Sequence, residues 1–506
     1  MLYREGNSHA SQNKSFRFIS ISLFQNLGNM KDRMRGIYVA IFLENLSRIE
    51  VSAMNTKATS PEHEHLGLTK NLTYGFQHVL TMYGGLIAAP LVVGLGIGLS
   101  QADIGLLITA SILVAGLATL LQTLGFKWFG SRLPIVQGTS FAAVASMIAI
   151  GANGGSFQSI LGAIIVSSIF GIIVAPFFSK IVRFFPPIVT GSIIAIIGIS
   201  LLPVAIRWIM GGNPKAPNWG SLENLGLAGI TLVFLLLLTK FGSTSIKRLA
   251  VLLSIIFGAI VAFAFGLADF SKVSQGAWMA LPNILGFGMP VFEWPAILSM
   301  CIVTLVILTE TTASLLAIGE IVETKVDNHR IADGLRADML SSALAPFFGA
   351  FMQCAFVQNV GLVAITGVKS RFVVATAGGI LVVLGLLPVF GRLVASIPMP
   401  VLGGAGLVLF GSVAVSGIRT LSKVDYQLQS NMIIVAVSLG AGLIPLISPE
   451  FFHSMPGAVQ TLFHSGISIT CIMAVLLNLF FNHLNFGKKT VSEGLTKPSA
   501  TAQNHL

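Results

Sequence analysis

Two carboxyl groups lie in apolar surroundings. Glu310 sits in LVILTETTASLLAIG and Asp338 in GLRADMLSSAL. An ionisable group inside a bilayer is costly unless it faces a cavity or a partner. A carboxyl withdrawn from water holds its proton more tightly, so either could hold or exchange a proton near neutral pH. The plain alternative is a carboxyl that only hydrogen-bonds a neighbouring helix; it weighs more for Asp338, which lies nearer the end of its stretch. Gln358 and Asn359 stand side by side in FVQNVGLVAITG, residues 356–367. The Gln358 carboxamide offers one donor and one acceptor together. That pair matches the N–H and C=O edge of an oxopurine or pyrimidine, although amides also join membrane helices as simple glue. Asn359 could pin the backbone or the nearby carboxylates. His78, in YGFQHVLTMYGG, is the one histidine deep in an apolar segment. A core histidine bonded to another helix is its first reading, and contact with substrate or proton the second. Gln137, Gly138, Thr139 and Ser140 precede Phe141, whose ring could stack on a flat heterocycle or serve only in packing.

The chain around these groups is built for a membrane. It has 506 residues, 54% hydrophobic and 10% charged, with a mean hydropathy of +0.85. Soluble domains carry about 25% charged residues, so the composition is that of a polytopic membrane protein, with the lipid bilayer as its first partner. Cys301, Cys354 and Cys471 are scattered through apolar segments with no paired spacing. This speaks against a disulfide framework or a zinc site. No metal and no cofactor other than a coupling proton is expected. The net charge of +11 does not point to nucleic acid, because most of the Lys and Arg lie in the terminal regions and in the loops between apolar spans. No nucleophile–base pair, metal cluster or phosphate loop marks an enzyme.

Fourteen apolar segments can be drawn, at about 70–94, 103–125, 132–151, 157–181, 187–209, 225–241, 248–269, 293–322, 334–350, 355–367, 370–397, 399–421, 429–447 and 466–484. The third and tenth are short or interrupted by glycine, and the other twelve are long enough to span. The loops on one side carry fourteen Lys and Arg, from Lys127 to Lys423. Those on the other carry four: Arg207, Lys215, Lys272 and Arg392. This asymmetry predicts that both termini are cytoplasmic. Fourteen spans divide into two sevens, and an odd number per repeat inverts one half relative to the other. PIVTG at 187–191 is echoed by PVLGG at 400–404, and VQGTSFAAV at 136–144 by VQNVGLVAI at 357–365. Short, interrupted segments at matching positions of two inverted halves point to a transporter binding site. FVQNVGLVAITG should be a half-helix with a lead-in strand, its polar backbone lining a cavity, and segment three the matching half-helix.

The two ends differ from this body. Residues 1–53 are polar and rich in Lys and Arg, and are expected to be disordered or a loose surface helix, with Met54 a possible true start. The whole of 1–67 is assigned to an N-terminal cytoplasmic extension, and 485–506 to a polar cytoplasmic tail.

QNVGLVAITG resembles the signature of the nucleobase–ascorbate transporter family at Gln358, Asn359, Gly361, Thr366 and Gly367. GFQHVLTMYGG, LPIVQGTSF, LAIGEIV, GLRAD, VASIPMPVLGGAGLVLFG and LNLFFN are similar to bacterial urate and xanthine permeases, over about residues 68–485. The resemblance implies an all-α membrane fold of fourteen transmembrane segments in two inverted repeats of seven. Its core domain would comprise 68–181 and 293–397, and its gate domain 187–269 and 399–484. It also implies a proton symporter of oxidised purines, urate before xanthine, working as a homodimer in a bacterial inner membrane. Carried over by position, Glu310 and Gln358 would bind the purine. Phe141 would pack on it, beside Ser140 and Val357. Asp338 and Asn359 would be essential polar groups, His78 would support the site, and Glu310 or Asp338 would couple the proton. Gln at the first signature position is the purine-type choice, where uracil permeases have Glu. Gly367 stands where several urate or xanthine carriers have Arg or Lys, and Ser140 where a bacterial urate permease has Thr. An anion exchanger or channel on the same architecture, or a carrier of another nucleobase such as uracil, remains the competing expectation.

Overall fold

The structure, a computed structural model, describes residues 60–484 except 272, 453, 457–459, 461–462 and 464. The expectations for residues 1–53, for a start at Met54 and for the tail from 485 lie outside the described residues. The described chain is helical apart from one pair of three-residue strands.

In the first half, α1 (Leu68–Gly96) and α2 (Gln101–Leu124) lead to strand β1 (Gln137–Thr139). A 3-10 turn at Phe141–Ala143 then opens the short α3 (Val144–Ala152). There follow α4 (Phe157–Val174), α5 (Pro187–Ile209), α6 (Leu222–Phe241) and α7 (Thr244–Ala264). The second half repeats the order. It comprises α8 (Trp294–Val322), α9 (Asn328–Leu344), strand β2 (Gln353–Ala355), the short α10 (Val357–Thr366), the bent pair α11 (Arg371–Gly385) and α12 (Pro388–Ala395), α13 (Met399–Leu421), α14 (Gln429–Ile447) and α15 (Gly466–Asn478). Each of the fourteen apolar segments falls on one of these helices, on a strand and helix together, or on the bent pair.

Packing partnerships recur seven segments on. α1 packs on α2 and α11, and its counterpart α8 packs on α9 and α4. α6 packs on α7 and α13, and its counterpart α14 packs on α15 and α5. The closest packing stays within two sets, α1–α4 with α8–α12 and α5–α7 with α13–α15. Small residues make the tightest crossing possible. A side chain at Gly198 of α5 would collide with Ala414 of α13, and one at Gly417 with Ala195.

Three sequence expectations need correction. Nine helices among the described residues are long and apolar enough to cross a membrane, or ten if α11 and α12 form one span, rather than twelve. Segment seven lies on α7, of which Leu249–Ala264 counts among the shorter apolar helices. Segment nine begins earlier than its apolar run, at Asn328, because the Asp327 side chain caps the helix by accepting the Arg330 N–H at 2.8 Å. Its first turns are therefore charged, and Pro346 ends it early. Segment eleven is broken, with α11 and α12 meeting at 77°. Pro388 has no N–H to continue a helix and disfavours helical geometry at the residue before it.

Candidate functional site

The centre of the site is the pairing of β1 with β2. The strands run antiparallel, with Gln137 opposite Ala355, Gly138 opposite Cys354 and Thr139 opposite Gln353. The Phe356 N–H donates to Val136 at 3.0 Å and the Ser140 N–H to Met352 at 2.8 Å, so each half-helix begins where the ladder ends. Both strands are edges, and edge N–H groups at membrane depth need partners. Hydroxyls of matching helices supply them. Thr119 of α2 accepts from the Gln137 N–H at 2.9 Å, and Ser342 of α9 accepts from the Gln353 N–H at 2.8 Å. Two short segments far apart in sequence are thus held by the same device, seven segments apart.

The two carboxyls have opposite surroundings. Both oxygens of Asp338 are taken: Oδ1 accepts from Gln122 Nε2 at 2.9 Å and Oδ2 from the Thr311 hydroxyl at 2.6 Å. Gln122 also donates to the Gly334 carbonyl and accepts the Ser131 N–H, and Thr311 accepts the Ala355 N–H. Asp338 therefore ties α2, α8, α9 and β2 together while fully buried. Glu310, one residue before Thr311, is half-buried, and its carboxyl takes no hydrogen bond or ion pair among the described residues. The helices that carry the two carboxyls, α8 and α9, both pack on β2.

On α10 the adjacent amides part company, since neighbours on a helix face different ways. Asn359 is buried. Its Nδ2 donates to the His78 carbonyl and to His78 Nδ1, both at 3.0 Å, which joins α10 to α1 and leaves the neutral ring proton on Nε2. Gln358 opens instead on a cavity of about 340 Å³ between α1, α6, α7 and α13. Phe356 lines the same cavity and covers Gly138, where any side chain would run into its ring. Phe141 is half-buried. Its ring and that of Phe356 both approach Gly85, and it meets Phe410 edge-on at 6.2 Å between centroids. Ser140 is fully buried, and its hydroxyl accepts the Ala142 N–H at 3.2 Å, capping the turn that carries Phe141. Val357 is 58% exposed at the start of α10. Thr366 bonds back to the Leu362 carbonyl, Gly361 faces open space, and Gly367 ends α10 at φ +67°. That left-handed cap is the usual station of glycine, so Gly367 stops the half-helix.

The structure brings His78 to Asn359, and Phe141 and Phe356 to Gly85. Glu310 is not among the residues lining the Gln358 cavity. Sequence reasoning passed over Gln122, Thr311, Trp208 and Phe410. Gln122 carried a signal, as an amide within the apolar segment LATLLQTLG; the two aromatics carried none. It also passed over the short stretch before α1. Glu62 there bonds Arg330 at 3.0 Å and the Thr324 hydroxyl at 2.9 Å, and the Glu64 carbonyl accepts from the Ser370 hydroxyl at 2.6 Å. This strap crosses the ends of α8, α9 and α11. Burial opposes ionisation of Glu62, but the backbone, Thr324 and Arg330 outweigh it and hold the carboxyl below its usual range.

Comparison with known proteins agrees with this architecture. Residues 69–451 match the model of a permease family. The chain is 39% identical over 454 residues to a uric acid transporter of Escherichia coli, covering 88% of this chain and 94% of that protein. It is 42% identical over 407 residues to a uric acid permease of Bacillus subtilis, covering 80% and 94%. A xanthine permease of Bacillus subtilis is 39% identical over 436 residues, covering 86% and 99%. Among solved structures, the transmembrane domain of a cyanobacterial bicarbonate transporter superposes with a TM-score of 0.53 at 15% identity, covering 83% of this chain and 99% of that one. The murine solute carrier 26 family member A9 anion transporter, in its inward-facing state, gives 0.55 at 14% identity, covering 83% and 70%. At such identities these two share the fold alone. With a family model matched over most of its length and relatives near 40% identical over 80% or more of it, the chain belongs to the nucleobase–ascorbate transporter family of permeases.

Proposed function

We propose that the protein is a proton-coupled symporter that imports oxidised purines, urate first and xanthine second, across the inner membrane of a bacterium. The observation that carries this reading is the contrast between the two carboxyls. Asp338 has both oxygens engaged and holds four elements together, whereas half-buried Glu310 lies on α8, which packs on β2, with its carboxyl unengaged among the described residues. A neutral Glu310 can donate a hydrogen bond to a purine carbonyl or ring nitrogen. An ionised Glu310 would leave an uncompensated charge in a low-dielectric site. Proton and substrate then bind together and leave together, by differential affinity. Gln358, open to the cavity, supplies the paired donor and acceptor for the purine edge.

The recurrence of packing partners seven segments on supports two inverted repeats of seven and fourteen transmembrane segments. In that arrangement α1–α4 and α8–α12 form the core, and α5–α7 and α13–α15 form the gate. Loop charge supports cytoplasmic termini. The homodimer follows from the family resemblance. The named substrates of the relatives, uric acid and xanthine, support the purine class. The test is uptake of labelled urate and xanthine by cells lacking their own carriers, with and without a protonophore. Saturable accumulation that collapses with the protonophore is the expected result. Equilibration without accumulation would favour a channel, or an exchanger like the anion transporters that share the fold.

A further inference from the structure

Three cavities run in line between α1 and the helices α5, α7 and α13. The first, of about 300 Å³, lies at the end of α5 and is lined by Arg207, Trp208, Gly96 and Met399. The second is the Gln358 cavity, about 340 Å³, with Lys247 and Thr239 at its rim. Between them is a constriction of about 20 Å³ at Phe410, which shares Trp208 with the first cavity and Gly84, Val251 and Leu409 with the second. Trp208, Phe410 and Phe141 form a continuous aromatic row, with centroids 6.0 and 6.2 Å apart. Arg207 ends α5 and Lys247 begins α7, with the single helix α6 between them, so the two lie at opposite faces of the molecule.

The charges along this line are one-sided. Among the described residues, Arg207 is the only charged one lining the first cavity, Lys247 the only one lining the second, and no carboxylate lines any of the three. Both side chains are exposed, and neither makes an ion pair or hydrogen bond among the described residues. A cleft with one sign of charge and low-dielectric walls concentrates the opposite ion.

We propose that this path takes its purine as an anion, with Arg207 drawing it into one mouth and Lys247 drawing it into, and holding it in, the Gln358 cavity at the other. The proposal rests on the purine-transport reading and narrows it to the charged form. Urate carries a negative charge at slightly acidic pH, whereas xanthine there is uncharged. The preference for urate over xanthine then comes from the mouths and not from the hydrogen-bonding edge that both purines share.

The experiment is uptake of labelled urate and xanthine at slightly acidic pH by cells expressing the full chain, Arg207→Gln, Lys247→Gln or Arg207→Lys. Each glutamine variant should raise the KM for urate roughly threefold to tenfold and leave that for xanthine within about twofold, at the low end of what one-signed clefts contribute. Arg207→Lys should restore the urate value. High salt should raise the urate KM of the parent and leave that of the double variant Arg207→Gln, Lys247→Gln nearly unchanged, because screening removes what that variant already lacks. Equal shifts for both purines, or no shift and no salt effect, would overturn the proposal while the purine reading stood. A parent protein that takes up neither purine would overturn both.

Discussion

On the proposed function, single groups carry binding and coupling. Gln358→Ala removes a donor and an acceptor from the cavity wall but no packing, so uptake should fall by about ten- to a hundredfold with membrane abundance unchanged. Transport kinetics beside immunoblots checks this; near-normal urate affinity in the variant would remove Gln358 from the binding role. The two carboxyls should part company under amide substitution. Glu310→Gln keeps shape and some hydrogen bonding, and should retain purine binding while losing accumulation driven by a proton gradient. Asp338→Asn sets an N–H against the Gln122 Nε2 or Thr311 donor that it now accepts from, and should destabilise the fold by about 1–3 kcal/mol. Proteoliposomes with an imposed gradient, beside equilibrium binding and thermal melts, separate the two outcomes. Full accumulation by Glu310→Gln would transfer the coupling role to Asp338.

At the scale of elements, the strand pair is the joint between halves. Gly138→Ala drives a methyl into the Phe356 ring, and overpacking of this kind costs about 1–3 kcal/mol or more. The expected outcome is a lower melting temperature and lost uptake together, with Phe356→Leu restoring part of the stability. The strap before α1 makes a pH prediction. Glu62 is held below its usual value of 4.5, so its stabilising contribution is full above that value and is lost as pH falls through the lower, folded one. Detergent-solubilised Glu62→Gln should melt lower than the parent at neutral pH, and the difference should close on acidification. A gap that widens in acid would contradict the assignment.

Across the whole molecule, orientation is the testable quantity. Cysteine introduced as Lys215→Cys should react with an impermeant thiol reagent on intact cells, and Lys127→Cys only after permeabilisation. Cys354 and Cys471 are buried and should give little background. The reverse pattern would invert the topology that loop charge predicts.

The sequence by itself determined the membrane class, the fourteen apolar segments, the two interrupted ones and the family signature, because burial in lipid imposes long apolar runs that leave polar exceptions such as Glu310 and Gln358 in plain view. It also read a half-helix with a lead-in strand in 356–367, whereas the helix takes Val357–Thr366 and the strand lies just before, at Gln353–Ala355. It misjudged α9 and the bend at Pro388, since hydropathy is blind to a capped, charged helix start and to a break inside an apolar run. Only the tertiary structure decided which exception is engaged by partners. Glu310 and Asp338 look alike as buried acids in a string. Their difference lies in Gln122 and Thr311, one of them more than 200 residues away in the chain, and hydrogen-bond partners at that separation are set by packing and not by local sequence. The same holds for Gln358 and Asn359. A helix turns each residue about 100° from the last, and the neighbours α1 supplies on one side and the cavity leaves open on the other make one amide a lock and the other a wall of the path.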